Sequence, residues 1–422
     1  MKRKLLIILT SILMLLPATV RGATYTVDNS LFEGINAEGV LIAETTTGEV
    51  IYEQGADKKI YPASTTKLLT AMLVLDNCSL TDVVTVNNSA ISAVPWDYVK
   101  AGIYAGETFT VEELLNVMLI MSANDVANVL AEHVAGTVQD FVVMMNDRAA
   151  QLGCQNSHFT NPSGIHNSEH YSTAREISII ARAAYQYPDI LRITSKDSCS
   201  LPKTSLSKER TYKSTNQLVR KDSSNYYQYC VGGKTGYTNI ANECLVAFSN
   251  YENTSFMIVI MGEKSSSSSA KFAYSKKVFE YLHSALKNVQ LCKKGEVAET
   301  IKIKGGTRKT RQIDVLYGDN LSMLVNIGDE KLDSVIEYDP KLKAPITAGQ
   351  EIGSITYTKN GETINVPLIA GSDVAKSYLL VIVLLTIVFL ILLFCAAMLI
   401  ARALYRKKRR KSDAKNGRKS QK

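Results

Sequence analysis

Tyr61-Pro62-Ala63-Ser64-Thr65-Thr66-Lys67 leads into an apolar run that holds Leu68, Leu69, Met72, Leu73 and Leu75. Pro62 stands where helices favour proline, so the spacing predicts a mostly buried helix with Ser64 and Lys67 in its first turn. Three residues apart, the two side chains share one face. Desolvation disfavours a charged ammonium, so a buried lysine at this place suits the base that activates a serine nucleophile. The positive end of the helix favours negative charge developing near Ser64. S-x-x-K is nevertheless a common tetrapeptide, and the same stretch also reads as a core helix capped by Ser64 with Lys67 extended to solvent. Partners elsewhere in the chain must decide between the two.

Two such partners follow downstream. Thr110-Val111-Glu112-Glu113 has the form of a capping box ahead of an apolar helix that ends at Met121-Ser122-Ala123-Asn124, and a second apolar run resumes at Val126. Ser122 and Asn124 therefore lie between two buried helices, where they either line a cleft or cap the second helix. Further on, Cys230-Val231-Gly232-Gly233-Lys234-Thr235-Gly236-Tyr237 runs through a turn into Cys244–Phe248 and then the apolar strand Phe256–Met261. That pattern is an antiparallel meander, in which glycines beside Lys234-Thr235 let a ligand approach the backbone. A phosphate loop would need a glycine where Gln228 stands and a helix after Thr235.

Residues 155–172 are rich in Asn, Ser, Pro and Gly and read as a loop before Thr173-x-x-Glu176, a second capping box. His166-Asn167-Ser168-Glu169-His170 matches the H-x-x-E-H zinc-peptidase spacing, but Asn161-Pro162-Ser163-Gly164 just upstream opposes the helix that such a site requires. No metal or other cofactor is expected. Upstream of Ser64, Gly39–Ala43 and Glu49–Tyr52 read as a hairpin at a sheet edge. After the serine-rich loop that follows Lys264, a helix from Ala273 to Leu286 closes the first domain. From Val289 to Ala370 alternating strands and glycine turns read as a small all-β domain, a spacer or a contact surface.

The ends carry the charge. Of the net +8, residues 1–22 supply +4 and residues 402–422 supply +10, so the body of the chain is at −6 and no nucleic-acid partner is indicated. Lys2-Arg3-Lys4 followed by Leu5–Leu16 and small residues reads as a signal peptide. Tyr378–Ile400 is free of charge and long enough to span a bilayer, and Arg406–Lys411 behind it places the C-terminus in the cytoplasm. Cys395 lies in that span. The six other cysteines are too scattered for a C-x-x-C metal pair, and allow either disulfides or free thiols.

Ser64-x-x-Lys67, Ser122-x-Asn124 and Lys234-Thr235-Gly236, in this order behind a signal peptide, resemble the low-molecular-mass penicillin-binding proteins, the serine-type D-alanyl-D-alanine carboxypeptidases. The resemblance runs from about Gly34 to Ala370. It implies a penicillin-binding/β-lactamase-like α/β (α+β) catalytic domain with an antiparallel sheet and a helical subdomain, a C-terminal all-β domain and one transmembrane helix. The expected boundaries are a signal peptide at 1–22, the catalytic domain at 23–288, the β domain at 289–370, the span at 378–400 and a cytoplasmic tail at 401–422.

On that resemblance Ser64, Lys67 and Ser122 are catalytic, while Asn124, Lys234, Thr235, Gly236 and Tyr237 bind substrate. Ser64 attacks the bond between two terminal D-alanines of a peptidoglycan stem peptide, with Lys67 as base. Ser122 relays a proton to the leaving D-alanine. Asn124 holds the substrate amide and Lys67, and Lys234 and Thr235 bind the terminal carboxylate. The N–H groups of Ser64 and Tyr237 form the oxyanion hole. β-Lactams then act as covalent inhibitors.

Ala123 and Tyr237 depart from the residues most common at their places in the family. The serine run takes the place of an arginine found in some relatives, which leaves Lys264 or Lys271 as a substitute at the carboxylate. Rival readings are a D,D-transpeptidase or endopeptidase, a wall-binding protein with a dead site, and a class A β-lactamase. The last needs an acidic residue in a Glu-x-x-x-Asn loop, and no Glu-x-x-x-Asn stands between 155 and 175.

Overall fold

The structure is a computed structural model that describes residues 25–359 and 361–417; the expected signal peptide lies outside them. The chain divides into two compact units. One runs up to Val289 and takes in Ser322–Lys331, and the other holds the remainder.

The first unit is built on a five-stranded sheet. Its strands are β1 (Gly39–Glu44), β2 (Val50–Gln54), β3 (Cys230–Thr238), β4 (Asn242–Tyr251) and β5 (Thr254–Glu263), in the spatial order β2-β1-β5-β4-β3 with every neighbour antiparallel. β1 and β5 are buried throughout. Alternation along the strands supplies two cores, because successive side chains leave opposite faces. Val40, Ile42, Ile258 and Ile260 join Phe272, Val278, Phe279 and Leu282 of the helix Ala270–Ala285 on one face. Leu41, Ala43, Val259 and Met261 join the helical subdomain on the other.

Three helices of that subdomain position the site: α1 (Lys67–Asn77), α2 (Val111–Ile120) and α3 (Asn124–Ala135). The reciprocal box of Thr110 and Glu113 starts α2, as its sequence requires. The start of α1 differs from expectation. Ser64 lies in a 3₁₀ turn, Ala63–Thr66, and the α-helix begins only at Lys67. Ala63 at φ 46° cannot join an α-helix, and the tighter turn eclipses residues i and i+3, which aligns Ser64 with Lys67. Ala123 rather than Ser122 stands at the N-cap of α3, without a side-chain cap bond.

Only half of the second expected capping box forms. Thr173 accepts from Glu176 N, but the Glu176 carboxylate turns to the backbone N–H groups of Gln155 and Asn156 and to the Ser157 hydroxyl instead. The His166–His170 stretch is not helical. The closing helix starts at Ala270, three residues earlier than the sequence pattern marks.

The second unit holds a sheet of β6 (Val297–Lys302), β7 (Gln312–Tyr317), β8 (Asp333–Tyr338), β9 (Glu351–Lys359) and β10 (Glu362–Ala370), ordered β6-β7-β10-β9-β8. Ile313, Val315, Ile355, Val366 and Leu368 form its buried side. The helix Leu379–Gly417 continues well past Ile400, through the basic run. Its Leu379–Lys411 portion is long and apolar enough to cross a membrane, and the protein buries none of it. All seven cysteines are free.

Candidate active site

Ser64, Lys67, Ser122, Asn124 and Lys234 come together where the Ser64 turn meets strand β3 and the start of α3. A Cβ on Gly236 would lie 3.0 Å from Ser64 N and 3.2 Å from Pro62 O, so glycine eases the close approach of strand and nucleophile turn. Ala63 at φ 46° and Ser122 at φ 71° both hold strained backbone beside the reacting groups.

Lys67 is fully buried, and its Nζ donates to three acceptors: Ser64 Oγ at 2.8 Å, Asn124 Oδ1 at 2.8 Å and the Ser163 carbonyl at 2.6 Å. Burial, and then the nearby Lys234 cation, push its pKa well below that of an ordinary lysine, while Asp125 opposes the shift. A depressed pKa brings the neutral amine, the form able to accept the Ser64 proton, within reach of neutral pH. Asn124 is held in turn by Val99, whose carbonyl accepts from its backbone N at 3.0 Å and its Nδ2 at 2.9 Å.

Lys234 Nζ donates to Ser122 Oγ and to the Thr235 carbonyl, each at 2.9 Å. Burial lowers its pKa to about 7. Each hydroxyl thus has its own lysine. The Thr235 hydroxyl lies 2.5 Å from that of Thr215, which is tied by its backbone N to Ile120 O at the end of α2. Tyr237 is exposed on the rim, its hydroxyl donating to Asn239 Oδ1.

Ser163 and Thr215 are the residues that reasoning from sequence missed. Ser163 acts through its carbonyl, which its residue type does not reveal. The Asn161-Pro162-x-Gly164 stretch was the available signal, because the Asn161 side-chain oxygen accepts from the backbone N of Ser163, Gly164 and Ile165 and so shapes the turn.

His170 belongs to this support and not to a zinc site. Its Nδ1 accepts from Thr160 N at 3.1 Å, which leaves Nε2 to donate to Thr66 Oγ1 at 2.9 Å. Burial, then the neighbouring histidine and Lys67, lower its pKa to about 3, so the ring is neutral. Neither lysine proposed for the carboxylate stands apart from acidic groups. Lys264 pairs with Glu38 at 2.6 Å, and Lys271 pairs with Glu243, the residue opposite Tyr237 in the sheet register. Around the 155–175 loop, the Glu176 carboxylate is taken up by backbone and hydroxyl donors, as the ordering of a loop requires.

Comparison with known proteins gives the family of the chain. Residues 25–265 match the D-alanyl-D-alanine carboxypeptidase family, and residues 286–376 match the C-terminal domain of penicillin-binding protein 5. The chain is 29% identical over 349 residues to the D-alanyl-D-alanine carboxypeptidase DacF of Bacillus subtilis, covering 81% of this chain and 86% of the relative. Penicillin-binding protein 5 from Haemophilus influenzae superposes with a TM-score of 0.70 at 25% identity, over 82% of this chain and 99% of its own. A DD-transpeptidase from Streptomyces matches over 59% of this chain and 98% of its own, with a TM-score of 0.54 and 28% identity. A carboxypeptidase-family match across more than half of the chain, set on two serine–lysine pairs, identifies the protein as a serine peptidase of the D-alanyl-D-alanine carboxypeptidase family, with a penicillin-binding protein 5 C-terminal domain.

Proposed function

We propose that the chain removes the terminal D-alanine from peptidoglycan stem peptides through an ester on Ser64, with residues 23–288 as the catalytic domain. Neutral Lys67 takes the Ser64 proton as Oγ attacks the carbonyl carbon between the two D-alanines. The resulting oxyanion is held by the N–H groups of Ser64 and Tyr237. When the C–N bond breaks, Ser122 passes a proton to the departing amine and recovers one from the Lys67 ammonium, so that Lys67 is neutral again and Lys234 stays a cation. Water then adds to the ester, Lys67 accepting its proton, and Ser64 leaves with a proton restored. Lys234, Thr235 and Gly236 receive the substrate carboxylate, and Asn124 keeps Lys67 oriented. A β-lactam enters the same path and acylates Ser64.

The observation that carries this reading is the buried Lys67 Nζ at 2.8 Å from Ser64 Oγ. We assign residues 1–22 to a signal peptide, 289–370 to a β-rich spacer, 378–400 to a single membrane span and 401–422 to a cytoplasmic tail. The catalytic domain then works outside the cell membrane, with Arg406–Lys411 on the inner side.

The test is D-alanine release from a peptide ending in D-Ala-D-Ala by the full chain in detergent, beside Ser64→Ala. Release by the parent alone supports the reading. Acylation of the parent by penicillin without release sinks the hydrolytic part. Likeness to the Streptomyces transpeptidase favours amine transfer as the second reading. Products formed with an added amine acceptor distinguish it, and cleavage of cross-linked peptide distinguishes an endopeptidase. A dead site predicts that Ser64→Ala changes nothing measurable.

A further inference from the structure

Trp96, the chain's only tryptophan, is 92% exposed, and Tyr104 and Val99 in the same segment are also exposed. An indole left in water forgoes a large burial gain, and a side chain of this kind becomes informative when its backbone is rigid. Here the backbone is fixed on both sides of Trp96. Val94, Ala101 and Ile103 are buried in the helical subdomain. Ala101 N donates to both Asp125 carboxylate oxygens at 3.0 Å, and Ala101 O accepts from the Tyr212 hydroxyl at 2.7 Å. Gly102 O accepts from Arg210 at 2.6 Å, and Tyr104 N donates to the buried Glu107, which itself pairs with Arg210.

The segment is also continuous with the active site. Val99 O takes both hydrogen bonds from Asn124, and the Cα of Trp96, three residues away, lies within roughly 11 Å of it. Exposed Asp97 and half-buried Lys100 share the segment with the indole, so the surface mixes one large apolar ring with polar groups. Such a surface fits a pyranose ring, which presents C–H groups on one face and hydroxyl and amide groups around its edge.

We infer that the pinned Trp96 segment is a saccharide-stacking subsite beside the active site, which holds the amino-sugar polymer that carries the stem peptide. This rests on the stem-peptide reading above and deepens it, since the enzyme then favours peptide already attached to glycan over free peptide. Pre-ordering of the loop leaves little conformational entropy to lose on binding, so one or two stacked rings suffice.

The single tryptophan reports on the subsite directly. The full chain in detergent, with its active site first blocked by penicillin, is titrated with chitohexaose, a peptide-free oligomer of N-acetylglucosamine, while indole emission is followed. A saturable change in emission, together with loss of chitohexaose binding by calorimetry in Trp96→Ala, is the expected result. In the unblocked enzyme, kcat/KM for glycan-attached pentapeptide should fall about fivefold or more relative to that for free pentapeptide in Trp96→Ala, and by less in Trp96→Tyr. No saturable change in the parent overturns the subsite. Equal kinetic losses on both peptides also overturn it. Indole emission that shifts on transfer from micelles to bilayer discs and then ignores the sugar assigns the ring to the membrane and equally overturns it. Because the emission arm needs no turnover, it decides the subsite even if D-alanine release fails and the stem-peptide reading falls.

Discussion

Lys67 Nζ lies 2.6 Å from the Ser163 carbonyl oxygen, the shortest of the three contacts it makes. The acceptor belongs to a loop almost a hundred residues away in sequence. Serine, amide and carbonyl oxygens occupy the three directions of the amine, so the base has one orientation, and the lone pair exposed on deprotonation points at one of these three partners. Ser163 sits there because Asn161 shapes its turn and because Gly164 packs onto Ala63.

Gly164 adopts φ +81°, and a Cβ there would fall 1.8 Å from Ala63 O. Gly164→Ala should therefore cost about 2–4 kcal/mol of stability and displace the Ser64 turn. Thermal unfolding and the rate of acylation by penicillin check this. An unchanged melting temperature with unchanged acylation would show that the turn yields without consequence.

The two lysines set opposite limbs of the pH profile. Lys67 must be neutral to accept a proton, and its pKa is lowered, so kcat/KM should rise as pH climbs through that lowered value. Lys234 must be a cation to hold a carboxylate, and its pKa is about 7, so kcat/KM should fall as pH rises above about 7. This parameter reports the free enzyme, to which those shifts apply. Lys234→Arg keeps the charge at all these values, so its alkaline limb should move out of the neutral range even as the rate drops. An unmoved limb would assign the titration to another group.

Asp125 is wholly buried and accepts from Ala101 N and Val126 N. Burial raises its pKa and these hydrogen bonds restrain the rise. Asp125→Ala strands the Ala101 N–H and should cost about 1–3 kcal/mol. It should also loosen the Val99 contact with Asn124 and slow acylation. A urea titration and the acylation rate measure the two effects separately, and an unchanged urea midpoint would argue against the first.

The full chain should partition into the membrane fraction and resist extraction by alkaline carbonate, because Leu379–Lys411 is apolar and unburied. Ending the chain after Ala375 should release it to the soluble fraction. Retention of the shortened chain would locate the membrane attachment elsewhere.

Much of this architecture follows from local pattern. The Thr110–Glu113 box, the β3–β4–β5 meander and the uncharged C-terminal run are each written in a few adjacent residues, because capping, period-two alternation and span length are short-range properties. The reciprocal box at Thr173 fails for the opposite reason. Glu176 finds better donors in a loop some twenty residues upstream, and no local rule anticipates that competition.

By itself the sequence marked the side chains that the fold gathers at one place: a serine with a lysine three residues on, a second serine ahead of an asparagine, and a lysine on a glycine-rich strand. It also determined the order of core, β-rich segment and apolar run, through composition and periodicity. Only the tertiary structure decided which lysine serves which hydroxyl, that a backbone carbonyl completes the cradle of Lys67, and that both ammoniums are buried deeply enough to lose their ordinary basicity. Those properties depend on desolvation and on distances between segments far apart in the chain, and neither exists until the segments pack.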